Sequence, residues 1–225
     1  MCFSLTASLS AGIILGATGI ALQIKQKPAR HEQGLACLPL IFASHQLIEA
    51  GVWATVGASN STASPTVVNT LLTYCYVFIA FTFWPIYVPL AIKYFNQGEY
   101  NRILVCLTYL GLAVGVYLFY SYVVYHPVSS SVGCGRTGCH SLVYDVQDPL
   151  FHHAIKYPYL VAVTFPFFFC MNKRVRWILG PLFLISFPVG MILAYDESFP
   201  SIWCFIAATI SITTYCVFST KKTQA

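Results

Sequence analysis

The sequence predicts an all-α fold: a seven-helix transmembrane bundle with its N-terminus outside and its C-terminus in the cytoplasm. Three observations support this prediction. Of the 225 residues, 57% are hydrophobic and only 8% are charged, whereas about 25% are charged in an ordinary soluble domain. Seven segments are apolar over the roughly 20 residues that a helix needs to cross a bilayer. The basic residues collect in alternate loops, which is the pattern of cytoplasmic loops.

The apolar segments use most of the chain, so we expect one membrane domain over residues 1–225. The longest connection is an outer loop at 124–150, which is rich in Ser, Gly, Cys and His and leaves little room for a soluble domain. The seven predicted spans cover about residues 3–24, 35–58, 66–92, 103–123, 151–171, 177–195 and 199–218.

The distribution of charge fixes the predicted orientation. Ten of the twelve basic residues lie in the first, third and fifth loops and in the C-terminal tail: Lys25, Lys27, Arg30, Lys93, Arg102, Lys173, Arg174, Arg176, Lys221 and Lys222. Seven crossings place these four segments on one side, which the positive-inside rule makes cytoplasmic. Nucleic-acid binding would require the basic residues in one patch with interleaved aromatic residues. We therefore expect contact with the lipid bilayer of the inner (cell) membrane, and no nucleic acid.

The first apolar segment is predicted to be a retained helix. No basic residue precedes the apolar run, and its positive charges follow it, unlike the order in a secretory signal peptide. Ser8, Gly12 and Gly16 recur at four-residue spacing. Small residues at this spacing allow another helix to approach the backbone closely.

The second segment carries the strongest indication of a site, in the stretch SHQLIEAGVW. His45 and Glu49 lie four residues apart and therefore share one face of a helix. Glu49 is the only acid within a predicted span, and ionisable groups inside a membrane usually face a polar interior and mark function. A structural alternative stays open, in which a protonated Glu49 bonds His45, Gln46 or a neighbouring helix and only holds the bundle together.

Aromatic residues and prolines characterise the remaining segments. The fourth ends in an aromatic run from Tyr117 to Tyr125, and such rings commonly lie at membrane interfaces. Prolines interrupt the fifth and sixth segments, where neighbouring helices can satisfy the freed carbonyl groups. The seventh opens with PSIWCF, which contains Trp203 and Cys204.

The outer loop contains a second candidate site. Cys134 and Cys139 flank a glycine-containing stretch flexible enough for either a disulfide or two thiolate ligands. Nitrogen and oxygen ligands for zinc or a similar metal follow, at His140, Asp145, Asp148, His152 and His153. Their spacing matches no zinc signature, and adjacent histidines cannot both project from one helix face. A metal site at His140, His152 or His153 and a disulfide remain alternatives.

Cys2 is the third candidate. The predicted orientation places it on the outer side, near the start of the last span with Trp203 and Cys204. Four roles stay open for Cys2: it could form a disulfide, bind a metal, react through its thiol, or pack as a small buried residue.

Three stretches, MCFSLTAS, LIFASHQLIEAGVW and SIWCFIAA, resemble an uncharacterised family of small bacterial multi-pass membrane proteins that open with Met-Cys-Phe-Ser. The resemblance implies the multi-pass architecture but no activity. It singles out Cys2, Ser4, Gln46, Glu49, Trp53, Trp203 and Cys204.

A weaker comparison is with seven-helix metal hydrolases such as alkaline ceramidases and adiponectin receptors. Those proteins hold zinc with Ser-x-x-x-His, Asp and His-x-x-x-His elements. Here Ser44 is directly beside His45, no His-x-x-x-His occurs, and the candidate acids lie in a loop. Two of the three elements are therefore missing.

The sequence favours a binding protein with an outward-opening polar pocket that senses or transports a small solute or ion. His45, Gln46 and Glu49 would form its floor, Trp53 and Trp203 would line it, and the loop over 134–153 would cover it. One alternative is an outward-facing, metal-dependent hydrolase acting on a lipid, with zinc as the candidate cofactor and Glu49 or Asp145 as base. The other is a membrane scaffold without activity of its own, so whether the chain is an enzyme stays open.

Overall fold

Helices dominate the chain. The computed structural model describes residues 4–56, 66–126, 128–134, 139–145 and 155–193, and in the last segment residues 203, 206, 208 and 210–219. Within these ranges the fold is all-α except for one two-stranded hairpin. The predicted fold class is confirmed to that extent.

The first two long helices form an antiparallel pair. Helix α1 spans Leu5–Ala21 and continues as a π-helical turn, Leu22–Gln26. Its first turn is capped by Ser4, whose hydroxyl accepts a hydrogen bond from the Ala7 N–H at 3.3 Å. A 3-10 turn, Arg30–Glu32, and the short helix α2, Gln33–Ala36, then lead into α3, Leu38–Val56.

The next helices are also long. Helix α4, Val67–Val77, passes through a π-helical segment, Phe78–Phe83, into α5, Trp84–Phe95. Helix α6 spans Asn101–Tyr125. Pro85 lies just after the π-helical segment, inside the continuous helical span Val67–Phe95, and its nitrogen cannot donate a helical hydrogen bond.

The remaining described elements are shorter. Strand β1, Val128–Cys134, pairs antiparallel with β2, Cys139–Asp145. Helix α7 spans Lys156–Thr164 and is followed by a 3-10 segment, Phe165–Phe169. A π-helical turn, Val175–Leu179, leads into α8, Gly180–Leu193. Helix α9 spans Thr213–Ser219.

Four helical segments of the described chain are long and apolar enough to cross a membrane, judged by length and composition. They are Leu5–Gln26, Arg30–Val56, Val67–Phe95 and Arg102–Tyr125, and they coincide with the first four predicted spans. A shorter apolar helix lies at Val175–Gly190.

The bundle has a mainly apolar core that includes a minority of polar side chains, and its outer surface is also apolar. Val67 and Ile192 are 86% and 81% exposed, and the outer faces of α1 and α6 are likewise covered with exposed Ile, Leu, Val and aromatic side chains. Several polar side chains are buried instead, among them His45, Gln46, Glu49, Asn69 and Thr73. Soluble monomers rarely expose so much contiguous apolar surface.

Glycines allow two close helix contacts. At Gly12 of α1, an added Cβ would lie 2.8 Å from the Leu47 side chain of α3, while at Gly16 it would lie 3.8 Å from Ala43. The close approach predicted for this face of α1 is therefore confirmed, with α3 as the partner. At Gly111 of α6, a Cβ would overlap the carbonyl oxygen of Pro85 in α5.

The first, third and fifth predicted loops meet at one end of the bundle. The His31 ring contacts the Phe95 ring edge-on, with centroids 5.8 Å apart. The Asn96 side chain donates to the Phe169 carbonyl at 2.6 Å and accepts from the Met171 N–H at 2.9 Å. The β1–β2 hairpin contacts α3 and α4 at the opposite end, where Thr73 donates to Ser129 at 2.9 Å.

Candidate functional site

The candidate site is a polar face in the middle of α3. His45 and Gln46 are 0% exposed and Glu49 is 1% exposed. Glu49 follows the other two by four and three positions, so on a helix it is a neighbour of both. Helical spacing therefore brings an imidazole, an amide and a carboxyl group together in the core.

Among the described residues, four polar atoms of this face have no hydrogen-bond partner. They are both ring nitrogens of His45 and both the amide nitrogen and the amide oxygen of Gln46. The Tyr76 backbone interacts with the imidazole without reaching the geometry of a normal hydrogen bond. Leaving a buried polar group unpaired costs roughly 1–3 kcal/mol, so each such group in a folded protein requires an explanation.

Glu49 and Trp53 extend the polar face along α3. Glu49 is engaged by another group of the protein. Trp53 lies two helical turns beyond Gln46. Its side chain is half-buried, and its buried indole N–H has no hydrogen-bond partner in the described ranges. The face thus carries unused donors as well as unused acceptors.

Two stacked tyrosines cover the His45 ring. The Tyr76 ring of α4 lies over the imidazole with centroids 4.3 Å apart, and the Tyr144 ring of β2 stacks on Tyr76 at 4.1 Å with planes 9° apart. All three side chains are buried. The hairpin therefore reaches the site through an aromatic stack.

A hydrogen-bonded cluster fastens the hairpin beside this stack. The Ser129 hydroxyl accepts from Thr73 at 2.9 Å and donates to the Asn69 side-chain oxygen at 3.1 Å, and Asn69 donates to Thr55 at 3.0 Å. Ser129 lies directly opposite Tyr144 in the strand pairing, so the two side chains share one face of the hairpin. A polar region thus runs from the middle of α3 to the hairpin end of the bundle.

Aromatic side chains close the other end of the site. The Phe42 ring, one helical turn before His45, stacks on the Trp84 ring at 4.3 Å and on the Phe183 ring at 6.5 Å. The void between these rings is lined by apolar surface. Its volume is about 10 Å³, which is room for about one water molecule. The polar region therefore ends at a dry aromatic layer on the side of the basic loops.

Trp203 lies in this aromatic layer. Its indole N–H donates to the Ser186 hydroxyl at 2.9 Å, and its ring meets Tyr159 and Phe187 edge-on. It lines the small void with Phe42 and Trp84. The structure therefore places Trp203 in the aromatic layer. Ser4 lies elsewhere, at the N-terminal cap of α1.

The predicted thiol and imidazole site is described only in part. The strand register pairs Cys134 with Cys139 and Gly133 with His140, and it pairs Asp145 with Val128 at the open end. The disulfide stays a prediction. Cys2, Asp148, His152, His153 and Cys204 lie outside the described residues. Among the residues that are described, no three His, Cys, Asp or Glu side chains group as metal ligands would.

Sequence reasoning missed the site residues of α4 and of the hairpin. Asn69, Thr73 and Tyr76 fall at positions i, i+4 and i+7 of α4, and this helical spacing of polar residues in an apolar segment was a usable signal. Tyr144 had a weaker one. The stretches VSSSVGC and CHSLVYD flank a Gly-Arg-Thr-Gly sequence, a pattern typical of two strands around a turn.

The model of a family of unknown function, DUF6629, matches residues 1–225. The chain belongs to this family. No curated protein and no solved structure matches it. The description of DUF6629 states no activity, so the chemistry available to this DUF6629 protein has to follow from its residues.

The buried face of this DUF6629 chain offers hydrogen-bond donors and acceptors to a small polar ligand. A neutral imidazole offers one donor and one acceptor, and a glutamine side chain offers two donors and an acceptor oxygen. The neighbouring carboxyl group of Glu49 adds a further oxygen. Such a set can surround a water molecule, a cation or a small hydrogen-bonding solute.

Proposed function

We propose that this DUF6629 protein is a seven-span membrane protein that binds a small polar solute or ion at His45, Gln46 and Glu49. It would act as a sensor or carrier of that solute. The observation that carries the proposal is that four buried polar atoms of His45 and Gln46 have no hydrogen-bond partner within the part of the chain that the structure describes. A bound guest would satisfy these atoms and recover the desolvation cost.

The structure corresponds to a closed form of the proposed site. His45 and Gln46 have no exposed surface, so a guest enters only if a neighbouring element moves. The hairpin is the element we propose to move, because the polar region continues to Ser129 and Tyr144. The opposite direction leads into the aromatic layer around Trp84, where the small void is lined by apolar surface.

Three observations support the membrane topology. Four described helices have the length and composition of membrane spans, and their outer faces are apolar. The ends that carry Arg30, Lys93 and Arg176 meet, as contacts between the first, third and fifth loops indicate. With the basic end in the cytoplasm, the hairpin end faces outward and the N-terminus lies outside.

The topology is tested with reporters fused to the two chain ends. An alkaline phosphatase reporter, which works only outside the cytoplasm, is expected to be active at the N-terminus and inactive at the C-terminus. A green fluorescent protein reporter at the C-terminus is expected to fluoresce. Two ends on the same side of the membrane would contradict an odd number of crossings.

Ligand binding is tested by thermal unfolding of the detergent-solubilised protein. The probes are sodium, potassium, calcium and zinc chlorides, glycine and urea, each compared with choline chloride. We expect at least one probe to raise the unfolding temperature of the wild type, and this shift to disappear in Gln46→Leu and Glu49→Gln.

Ser44→Ala is the matched control for the binding test. Ser44 is exposed on α3 beside His45, and its hydroxyl donates to the Leu40 carbonyl of its own helix at 3.1 Å. The variant should keep the full shift. If no probe produces a shift that depends on Gln46, the proposed binding of these solutes at the His45 site is refuted.

A further inference from the structure

A second cleft lies at the opposite end of the bundle from the hairpin. It is an open cavity of about 570 Å³ between the 3-10 turn after α1 and the C-terminal end of α5. Arg30 and His31 line one wall, and Lys93 and Tyr94 line the other. This volume falls within the range of small-molecule sites.

The cleft combines positive charge with an apolar edge. Its charged lining residues, Arg30 and Lys93, are both basic. The nearest acid on the turn, Glu32, is 6% exposed, and its carboxylate accepts from the Ala29 N–H at 3.0 Å. Leu90 and Tyr94, which are 43% and 55% exposed, continue the cleft onto the apolar outer face of α5.

The two walls are fixed to each other. The Tyr87 hydroxyl of α5 donates to the Gly34 carbonyl at 2.7 Å, and the His31 ring packs against Phe95. A Cβ added at Gly34 would lie 3.0 Å from the Ala91 side chain, so the backbone around α2 sits tightly on α5. The fold therefore fixes the backbone positions of Arg30 and Lys93 relative to each other.

We propose that this cleft binds the phosphate headgroup of an anionic phospholipid. Arg30 and Lys93 would bind the phosphate oxygens, and Leu90 with Tyr94 would contact the start of an acyl chain. Basic pockets at the cytoplasmic side of membrane helices suit such headgroups, because charge and apolar surface are adjacent. A free phosphate ion would use the charges but would leave the apolar edge without a partner.

The site shares with the proposed function only the membrane setting and its orientation. It lies at the cytoplasmic end, and none of its residues belongs to the buried face of α3. Loss of lipid binding would therefore leave the His45 site untouched. Loss of the His45 site would likewise leave lipid binding at the cleft unchanged.

Lipid binding is tested by native mass spectrometry of the full-length protein. The protein is released from mixed micelles that contain either phosphatidylglycerol or phosphatidylcholine. We expect retained phosphatidylglycerol on the wild type and much less phosphatidylcholine. The double variant Arg30→Gln/Lys93→Gln should bind phosphatidylglycerol on the order of 30-fold more weakly, since each basic residue near a membrane surface contributes about a factor of five.

Two further variants separate a built site from general surface charge. Lys173→Gln removes one exposed positive charge at the same end of the bundle but outside the cleft, and it should keep the wild-type binding. Arg30→Lys/Lys93→Arg keeps both charges and should also retain the lipid. Unfolding temperatures in phosphatidylcholine micelles establish that each variant is folded.

Inorganic phosphate distinguishes the two sources of the anion. At equal headgroup concentration it should not displace phosphatidylglycerol from the wild type. Displacement would overturn the lipid assignment in favour of a free anion. An equal loss of lipid in Lys173→Gln and in the Arg30/Lys93 double variant would overturn the cleft as a site.

Discussion

The Tyr144 ring stacks on the Tyr76 ring with centroids 4.1 Å apart, although α5, α6 and β1 lie between the two residues in the sequence. Tyr76 in turn lies over His45 at 4.3 Å. This contact joins the hairpin to a buried imidazole through a single intermediate ring. A change in the hairpin should therefore alter the packing around His45.

Tyr144→Ala is expected to open the site to small reagents. Removing the ring deletes the outer member of the stack and leaves a void above Tyr76, at a cost of about 3–5 kcal/mol in stability. The measurement is labelling of His45 by diethyl pyrocarbonate, followed by peptide mass spectrometry, at a temperature where the variant is folded. Labelling should rise well above the wild-type level.

Tyr125→Ala provides the control for this experiment. Tyr125 is an exposed tyrosine at the end of α6. Its replacement should leave labelling of His45 unchanged. Equal labelling of His45 in wild type and in Tyr144→Ala would show that the hairpin does not cover the site.

Ser129→Ala should loosen the hairpin without removing the tyrosine stack. The Ser129 hydroxyl links Thr73 to Asn69, so its loss leaves a buried donor and a buried acceptor without this partner. We expect a loss of about 1–3 kcal/mol, measured by thermal unfolding in detergent. Ser44→Ala, on the exposed side of α3, should change stability by less than about 0.5 kcal/mol. Identical unfolding of the two variants would refute a role for Ser129 in holding the hairpin.

Gly111→Ala should prevent normal packing of α6 on α5. The new Cβ would overlap the Pro85 carbonyl oxygen, which belongs to the backbone and cannot rotate away. We expect a loss larger than the roughly 1–3 kcal/mol typical of overpacked cores, seen as a low yield of monodisperse protein in size-exclusion chromatography. Gly16→Ala, whose Cβ would lie 3.8 Å from Ala43, should yield as much protein as wild type. A normal yield of Gly111→Ala would be incompatible with the described approach of the two helices.

Helix length and the position of the polar face could be predicted from the sequence because both depend on local spacing. Apolar runs of about 20 residues identify helices wherever the surrounding solvent is apolar. A carboxyl group in such a run has a strong preference for the interior, so the burial of Glu49 beside His45 followed from its position alone.

Long-range partners could not be predicted in the same way. Nothing local in the sequence places Tyr144 against Tyr76, or the Ser186 hydroxyl against the Trp203 indole, because tertiary packing determines both contacts. The predicted pocket was expected to open outward, whereas His45 and Gln46 are fully enclosed in this structure. The strand pairing of the loop was missed because its turn and strand signals are short.

The most direct test of the account is an experimental structure of the membrane-embedded protein at side-chain resolution. We predict non-protein density within hydrogen-bonding distance, about 3 Å, of the Gln46 side-chain amide and a His45 ring nitrogen. The same density should be missing in Gln46→Leu. A wild-type structure in which protein groups satisfy these atoms, with no additional density beside them, would contradict the proposed binding site.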